Sequence, residues 1–420
     1  MDIREKVLVG ALEFPEVDYE RFLASLDELK ELVQTAQGEV IEVVTQKRNG
    51  PSPSFYFGKG KMEEMKQFIE EYEIDIVIIN GDLSPSQSNN LSRYFEIRVI
   101  DRTQLILDIF AQRARTKEGK LQVELAQYQY MLPRLAGQGI ALSRLGAGIG
   151  TRGPGETKLE TDRRHIRRRI DELKAQIQSA ATQRTLYRSR RKRNQVFQIA
   201  LVGYTNAGKS TIFNQLTSSD TLEENQLFAT LDPLTRMIRL PSGFQVLLTD
   251  TVGFIQDLPT SLVAAFRSTL EEVKEADLLL CIVDASHPDH TQHEKTVQKH
   301  LKELDAEHLP MLTVYNKMDN VNDFVPYMTP SIQISARNKK DIVRLTHKIE
   351  DAIKDTCEPY DITLASDQGN LMTKLKRESL VTESTFDEIK EYYRYKGYIP
   401  KDHALYSLLE NGEVERELNE

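Results

Sequence analysis

The feature that most restricts this chain is the stretch from Phe197 to Leu216. Phe197–Val202 reads as a buried strand, and Thr211–Leu216 carries a helical pattern. Between them stands Gly203-Tyr204-Thr205-Asn206-Ala207-Gly208-Lys209-Ser210, with the spacing G-x-x-x-x-G-K-S. A strand running through such a loop into a helix is the setting that a phosphate-binding loop requires. Glycines let backbone N–H groups curl around phosphate oxygens, and the helix N-terminus adds positive potential. Lys209 is then placed to reach β- and γ-phosphates, and the Ser210 hydroxyl is a hard oxygen ligand suited to Mg²⁺. Gly203 through Thr211 are the candidate phosphate-binding residues.

Three more motifs follow in order, each at the end of an apolar strand. Asp250-Thr251-Val252-Gly253 closes Val246–Leu248. Asp250 suits a Mg²⁺ contact through water, and the Gly253 N–H suits a sensor of the γ-phosphate. Asn316-Lys317-Met318-Asp319 closes Leu312–Tyr315. Guanine offers two donors, N1–H and the 2-amino group, and the Asp319 carboxylate can accept from both; adenine would leave that carboxylate unpaired. Ser335-Ala336-Arg337 follows Ile332–Ile334 and offers a backbone N–H to guanine O6. Each short motif alone is weak. Four in order, at four strand ends, predict GTP binding and hydrolysis to GDP and phosphate.

The flanking regions are different in kind. In residues 1–100, apolar runs at Val7–Ala11, Val40–Val44, Ile74–Ile79 and Ile97–Ile100 alternate with helical patterns. Phe22, Leu26, Leu29 and Val33 share one helix face, and Ser84 followed by Pro85 reads as a helix cap. Such alternation predicts a small parallel sheet with crossover helices. One long helix is expected from Thr103 to about Pro133, with Leu121, Leu125, Tyr128 and Leu132 as its seam. A second is expected from about Lys158 to Tyr187, with Ile166, Ile170, Leu173 and Ile177. The pair predicts an antiparallel helical hairpin.

Charge gives the hairpin meaning. The chain carries −9, yet Arg163–Arg193 holds twelve Lys/Arg and two acids. The connection from Gly137 to Gly155 contains seven of the 21 glycines, and no acid occurs between Leu125 and Gly155, while Arg134, Arg144 and Arg152 are present. This combination suits close approach to a phosphate backbone. A solvated basic face and a plain flexible connector are the alternatives. Gly148-x-Gly150-x-x-Gly153 matches a dinucleotide fingerprint formally, but no strand precedes it and Pro154 follows. His287, His290 and His293 suggest either a metal cluster or, better, a solvated loop and helix start at Pro288 and Asp289. Tyr392, Tyr393, Tyr395 and Tyr398 lie among Lys390, Arg394 and Lys396, which fits half-buried packing or stacking on RNA. Two cysteines, Cys281 and Cys357, exclude a disulfide scaffold and are expected to be thiols. No apolar run is long enough to span a bilayer and Met1–Lys6 lacks a signal pattern, so a cytoplasmic setting is expected.

The nucleotide motifs match the Ras-like P-loop GTPases of the translation-factor class. Leu227-Phe228-Ala229-Thr230-Leu231-Asp232-Pro233 resembles the first switch of the Obg–HflX group. That resemblance adds Phe228, Ala229, Thr230, Leu231 and Asp232 to the nucleotide site and makes Thr230, with Ser210, a Mg²⁺ ligand. Asp101-Arg102-Thr103-Gln104, Gly146-Ala147-Gly148-Ile149-Gly150 and Arg152-Gly153-Pro154-Gly155-Glu156-Thr157-Lys158-Leu159-Glu160 resemble the signature of bacterial HflX GTPases. The likeness spans about residues 1–355 and weakens beyond. It implies a GTPase that binds the large ribosomal subunit and its rRNA, and splits stalled or hibernating ribosomes under stress. One position departs from the Ras pattern: Phe254 stands where a water-orienting glutamine is found. Slow intrinsic hydrolysis, stimulated by ribosomes, is therefore expected, and no catalytic base is assigned.

The expected fold is α/β. A small parallel α/β subdomain (1–100) leads into a long antiparallel helical hairpin (101–194, with its Gly-rich loop at 137–157). A Ras-like P-loop GTPase domain (195–357) and a small α/β C-terminal domain (358–420) follow. A monomer is expected. Two rival functions share the GTP site: a switch in ribosome biogenesis or tRNA handling, and a regulator whose basic hairpin docks a protein or, peripherally, a membrane surface. Whether the N-terminal sheet also binds ATP stays open.

Overall fold

The computed structural model describes residues 4–135, 154–193, 196–217, 227–255, 272–388 and 391–406. The Gly-rich connection, including Arg144, Arg152 and the Gly148–Gly153 fingerprint, lies outside the described residues. Two compact units are present. The first is built on residues up to Ala181 and also takes in 227–231; the second takes most of the remainder.

The first unit centres on four parallel strands in the order β2-β1-β3-β4: β1 (Lys6–Glu13), β2 (Glu39–Lys47), β3 (Ile76–Asn80) and β4 (Arg98–Asp101). Alternation along the strands divides its core. Leu8, Leu12, Val77 and Ile79 join α2 (Lys59–Tyr72) and α3 (Pro85–Phe95) through Met65, Ile69, Leu91 and Phe95. The α1 helix (Tyr19–Thr35) buries Phe22, Leu26, Leu29 and Val33, the face its periodicity predicts. Ser84 caps α3 through a capping box: its hydroxyl accepts from Gln87 N–H at 3.2 Å, and Gln87 Oε1 accepts from Ser84 N–H at 2.8 Å.

The expected single helix from Thr103 to Pro133 is two: α4 (Arg102–Arg113) and α5 (Lys117–Leu135). Ala114 leaves the helical region at φ −62°, ψ 114°, and the Thr116 hydroxyl accepts the Gly119 N–H at 2.9 Å, restarting the chain as a new helix. α4 is then free to bury Leu105, Ile106, Ile109 and Phe110. The seam of α5 also differs from the expected one: Gly119, Gln122, Val123 and Ala126 are buried, and Leu121, Leu125, Tyr128 and Leu132 are half-buried. The second hairpin helix, α6 (Pro154–Arg193), is longer than its pattern predicts. It buries Ile170 and Leu173, leaves Arg164, Arg167, Arg168 and Lys174 exposed, and pairs Arg169 with Glu124 of α5 at 2.8 Å.

A buried carboxylate joins this hairpin to the sheet. Asp101, at the end of β4 and fully buried, accepts from Gln104 N–H (2.9 Å), Leu83 N–H (3.1 Å), Tyr130 Oη (2.8 Å) and Arg134 Nη2 (3.0 Å). The Arg134 guanidinium also stacks 3.4 Å from the Tyr130 ring centroid and donates to Leu83 O. Arg134 is thus turned inward, not offered to a phosphate, because a buried anion needs a paired cation.

The second unit holds a six-stranded sheet, β10-β9-β8-β5-β7-β6. Its strands are β5 (Gln198–Gly203), β6 (Leu234–Arg239), β7 (Gln245–Asp250), β8 (Leu278–Asp284), β9 (Met311–Asn316) and β10 (Ser331–Gln333), parallel except where β6 pairs antiparallel with β7. Leu201, Leu280, Leu312 and Val314 form its core with α7 (Lys209–Thr217) and α9 (Lys339–Lys354); α8 (His290–Glu303) also packs on it. After β11 (Glu358–Ala365) come α10 (Gly369–Glu378), β12 (Leu380–Asp387) and β13 (Tyr392–Ile399), an antiparallel sheet ordered β11-β13-β12. Tyr395 and Leu375 are buried in its core; Tyr392 is exposed. Among the described residues no helix is long and apolar enough to cross a membrane. Asp101→Ala strands Arg134 beside a protein core and should destabilise the first unit by about 3–5 kcal/mol. An earlier thermal transition, with hydrogen exchange quickening first in β4 and α5, checks this.

Candidate guanine-nucleotide site

The four strand-end motifs meet at one edge of the sheet because β5, β7, β9 and β10 run parallel, with β8 between β5 and β9, and end together. Gly203–Ser210 turns from β5 into α7. Gly208 takes φ +97°, and a Cβ there would collide with the Asn316 carboxamide, so only glycine fits. Lys209 is buried and donates to Gly203 O at 3.1 Å and Tyr204 O at 2.6 Å, which aims its ammonium across the loop mouth. Burial pulls Lys209 down to about 8, and the Asp250 charge opposes that fall. The Ser210 hydroxyl donates to Asp250 Oδ2 at 2.9 Å. Two hard oxygens this close, at the start of a helix beside a lysine, form a donor set that suits Mg²⁺ rather than a soft metal.

Asn316 links three of the motifs. Its Nδ2 donates to Ala207 O at 2.9 Å, and its Oδ1 accepts the Ala336 N–H at 2.9 Å. The phosphate loop, the end of β9 and the Ser335–Arg337 turn are therefore tied to one buried side chain. Lys317 pairs with Asp284 at the end of β8 at 2.6 Å. Asp319 is exposed. A hydrogen bond with Ser335, aided by the Arg337 and Lys317 charges, holds its carboxyl below the usual carboxylate range. An ionised, exposed carboxylate can accept two donors from a purine edge. The Ser335 N–H is directed to Asp341 Oδ2 at 3.0 Å and the Ala336 N–H to Asn316, so these two amides brace the turn.

The expected first-switch residues are divided between the two units. Phe228–Leu231 group with the first unit. Phe228, 2% exposed and at φ +56°, meets Phe110 edge-on at 4.6 Å, and Leu227 N–H donates to Thr35 Oγ1 at 3.3 Å. The structure does not bring Thr230 together with Ser210 in one unit, whereas Asp232 groups with the second. The helix start expected at Pro288 and Asp289 is present, with Asp289 at the N-cap of α8, but His287, His290 and His293 are half-buried and not solvated. Among the described residues no group of three metal-ligating side chains is present, and the three imidazoles are half-buried among aromatic rings. Asp284 and Asp341 were not singled out from sequence; the position of Asp284 at the end of the apolar run Leu278–Val283 is the signal that marks it. Asn316→Ala leaves the Ala207 carbonyl and Ala336 N–H without their buried partner, at about 1–3 kcal/mol per group. Affinities for fluorescent GTP and GDP should fall together, at least tenfold by that cost.

Known proteins resemble the chain along nearly its whole length. Residues 23–111 match the family described as GTP-binding GTPase N-terminal, 113–191 the GTP-binding GTPase middle region, and 198–317 the 50S ribosome-binding GTPase. A GTPase HflX of Alkalihalophilus pseudofirmus is 55% identical over 97% of this chain and 96% of its own length. That of Caldanaerobacter subterraneus is 50% identical, covering 92% of this chain and 89% of its own. That of Escherichia coli is 40% identical, covering 87% and 88%. With the phosphate loop, the paired Ser210 and Asp250 oxygens and the exposed Asp319 carboxylate gathered on one sheet edge, likeness of this extent places the chain in the HflX family of GTPases.

Proposed function

We propose that this GTPase binds the large ribosomal subunit, chiefly its rRNA, when GTP occupies the site, and in doing so splits stalled or hibernating ribosomes under stress. The observation that carries the reading is the basic outer face of α6. Arg164, Arg167, Arg168 and Lys174 are exposed on a helix that buries Ile170 and Leu173 and pairs Arg169 with Glu124 of α5, so the charge is displayed outward. The helix leads from the acid-free, glycine-rich connection, and the nucleotide domain matches a family described as 50S ribosome-binding. A polyanion at this face releases counterions, and affinity should depend steeply on salt.

In this reading the residues Gly203–Thr211 cradle the phosphates, with Lys209 on the β- and γ-groups. Asp319 reads the guanine edge, flanked by Lys317 and Met318, and Ser335–Arg337 closes over the base. Ser210 and, in the GTP state, Thr230 would hold Mg²⁺, Asp250 would support it, and the Gly253 N–H would meet the γ-phosphate. A bound ion would supply positive charge to offset that of the phosphates. Phe228, Ala229, Leu231 and Asp232 carry Thr230, while Thr251 and Val252 carry Gly253. Thr251 is anchored for this: its hydroxyl donates to Leu201 O at 2.6 Å. Phe254 has no group that orients water, so hydrolysis by the chain alone is slow.

The test is sucrose-gradient sedimentation of intact ribosomes with the protein and a non-hydrolysable GTP analogue, GDP, or no nucleotide. Comigration with large subunits and loss of the intact-ribosome peak are expected with the analogue only. The variant Arg164→Glu, Arg167→Glu, Arg168→Glu should abolish comigration at physiological salt while nucleotide binding persists. Arg169 is spared because it pairs with Glu124. Migration at the top of the gradient in every state would remove the ribosome from the account. Comigration of the Glu variant would remove α6 as the contact.

A further inference from the structure

A cleft of about 460 Å³ opens on the second unit, beside the start of β9 and so at the opposite end of that strand from Asn316. Its floor is apolar: Leu279 and Leu301 are buried there, and Met311 and Met328 are half-buried beside them. Unbranched thioethers adapt to whatever apolar side chain meets them. The rim is basic. Lys295, Lys299 and Lys302 stand four and three residues apart on α8, so they share one face of the helix, and all three are exposed. Lys299 lies 3.9 Å from Glu303, whereas among the described residues Lys295 and Lys302 make no ion pair. Glu307 is the single acid among the residues lining the cleft. One wall is braced: Tyr327 N–H and Met328 N–H both donate to Tyr315 Oη, at 3.0 and 2.9 Å, and Gln298 Nε2 donates to Met328 Sδ at 3.2 Å.

An apolar floor ringed by cations fits an acidic segment that also carries apolar side chains. A nucleic acid would leave the floor unused, because no lining residue is aromatic and no base could stack there. The chain itself holds such a segment. Ser407–Glu420 contains Glu410, Glu413, Glu415, Glu417 and Glu420 against the single cation Arg416, with Leu408, Leu409, Val414 and Leu418 among them. It lies outside the described residues, but its point of departure is known. β13 ends at Ile399, which pairs with Glu358 at the start of β11. Burial pushes the thiol of the preceding residue, Cys357, up to about 11, and the charge of Asp277 adds to this, so Asp277 is close by. Leu279 of the cleft floor is two residues beyond Asp277. The chain therefore leaves the antiparallel sheet at the end that adjoins the start of β8. Tyr406 packs on the core of that sheet, and the fourteen residues after it can extend at most about 50 Å.

We propose that the acidic segment Ser407–Glu420 of this chain docks in the lysine-rimmed cleft of α8, its glutamates against Lys295, Lys299 and Lys302 and its apolar side chains on the methionine floor. Because the segment belongs to the same chain, it is present at an effective concentration in the millimolar range. Exposed ion pairs are individually weak, so several of them and an apolar anchor act together. Docking withdraws the three lysines from any passing polyanion. It needs neither nucleotide nor ribosome, so it stands or falls separately from the sedimentation experiment.

The test is trace acetylation of the full chain with acetic anhydride, read lysine by lysine by mass spectrometry. The parent chain is compared with the variant E413K/E415K/E417K, which alters none of the described residues. Lys295, Lys299 and Lys302 should react at least about threefold faster in the variant, while the exposed Lys339 and Lys340 of α9 react alike in both. A synthetic peptide of residues 407–420, added to the variant at millimolar concentration, should slow the three lysines again. In the parent, a zero-length carbodiimide should join glutamates of that segment to the same lysines within one chain. GDP binding, expected to stay within about twofold, verifies that the variant is folded. Equal acetylation of the three lysines in the parent and the folded variant overturns the proposal. So do cross-links between two chains, with protection that grows with protein concentration, because a second copy would then fill the cleft. Protection of the three lysines by a single-stranded RNA oligonucleotide, equal in parent and variant, overturns it as well, because the segment would then not hold the site.

Discussion

The second unit depends on the carboxamide of Asn316. A phosphate loop is strained backbone, with Asn206 at φ +61° and Gly208 at φ +97°, and it keeps that shape only if something outside it fixes its carbonyls. Asn316 does so through Ala207 O and, with its other atom, holds the turn at Ala336. The loop for phosphates and the turn for the base are thus spaced by one rigid side chain at the end of a central strand. The absence of a side chain at Gly208 is what allows the carboxamide so close. Lys209 then takes its direction from carbonyls of the same loop.

The first unit shows a similar economy with Asp101. It ends β4, caps α4, receives Leu83 and clamps Tyr130 and Arg134, so the foot of the glycine-rich connection is fixed to a sheet. Arg102 and Thr103 continue the arrangement, with Arg102 paired to Glu28 at 3.0 Å and Thr103 donating to Asp82 at 2.7 Å. A motif that resembles a family signature is here a set of buried polar contacts.

Much of this was legible in the sequence where the information is local. The loop Gly203–Ser210, the strand ends at Asp250 and Asn316, the capped start of α3 and the buried stripe of α1 each follow from spacing within a dozen residues. What escaped was set by distant partners. Arg134 looked like a phosphate ligand because its anion lies 33 positions upstream. His293 looked solvated because Tyr204, the ring stacked on it, comes from the phosphate loop. The break at Ala114 lacks a glycine or proline to announce it, and the shifted seam of α5 follows from that break. The grouping of Phe228–Leu231 with the first unit has no local signal either; it is decided by Phe110 and Thr35.

We propose that GTP hydrolysis by this chain is governed by a ribosomal particle, because Phe254 leaves the site without its own water-orienting group. Its most direct test is the steady-state rate of GTP hydrolysis across a titration with purified large subunits, alongside small subunits as the comparison. The account predicts a slow basal rate and a saturable rise with large subunits alone. A fast basal rate, or a rate indifferent to large subunits up to saturation, would contradict it.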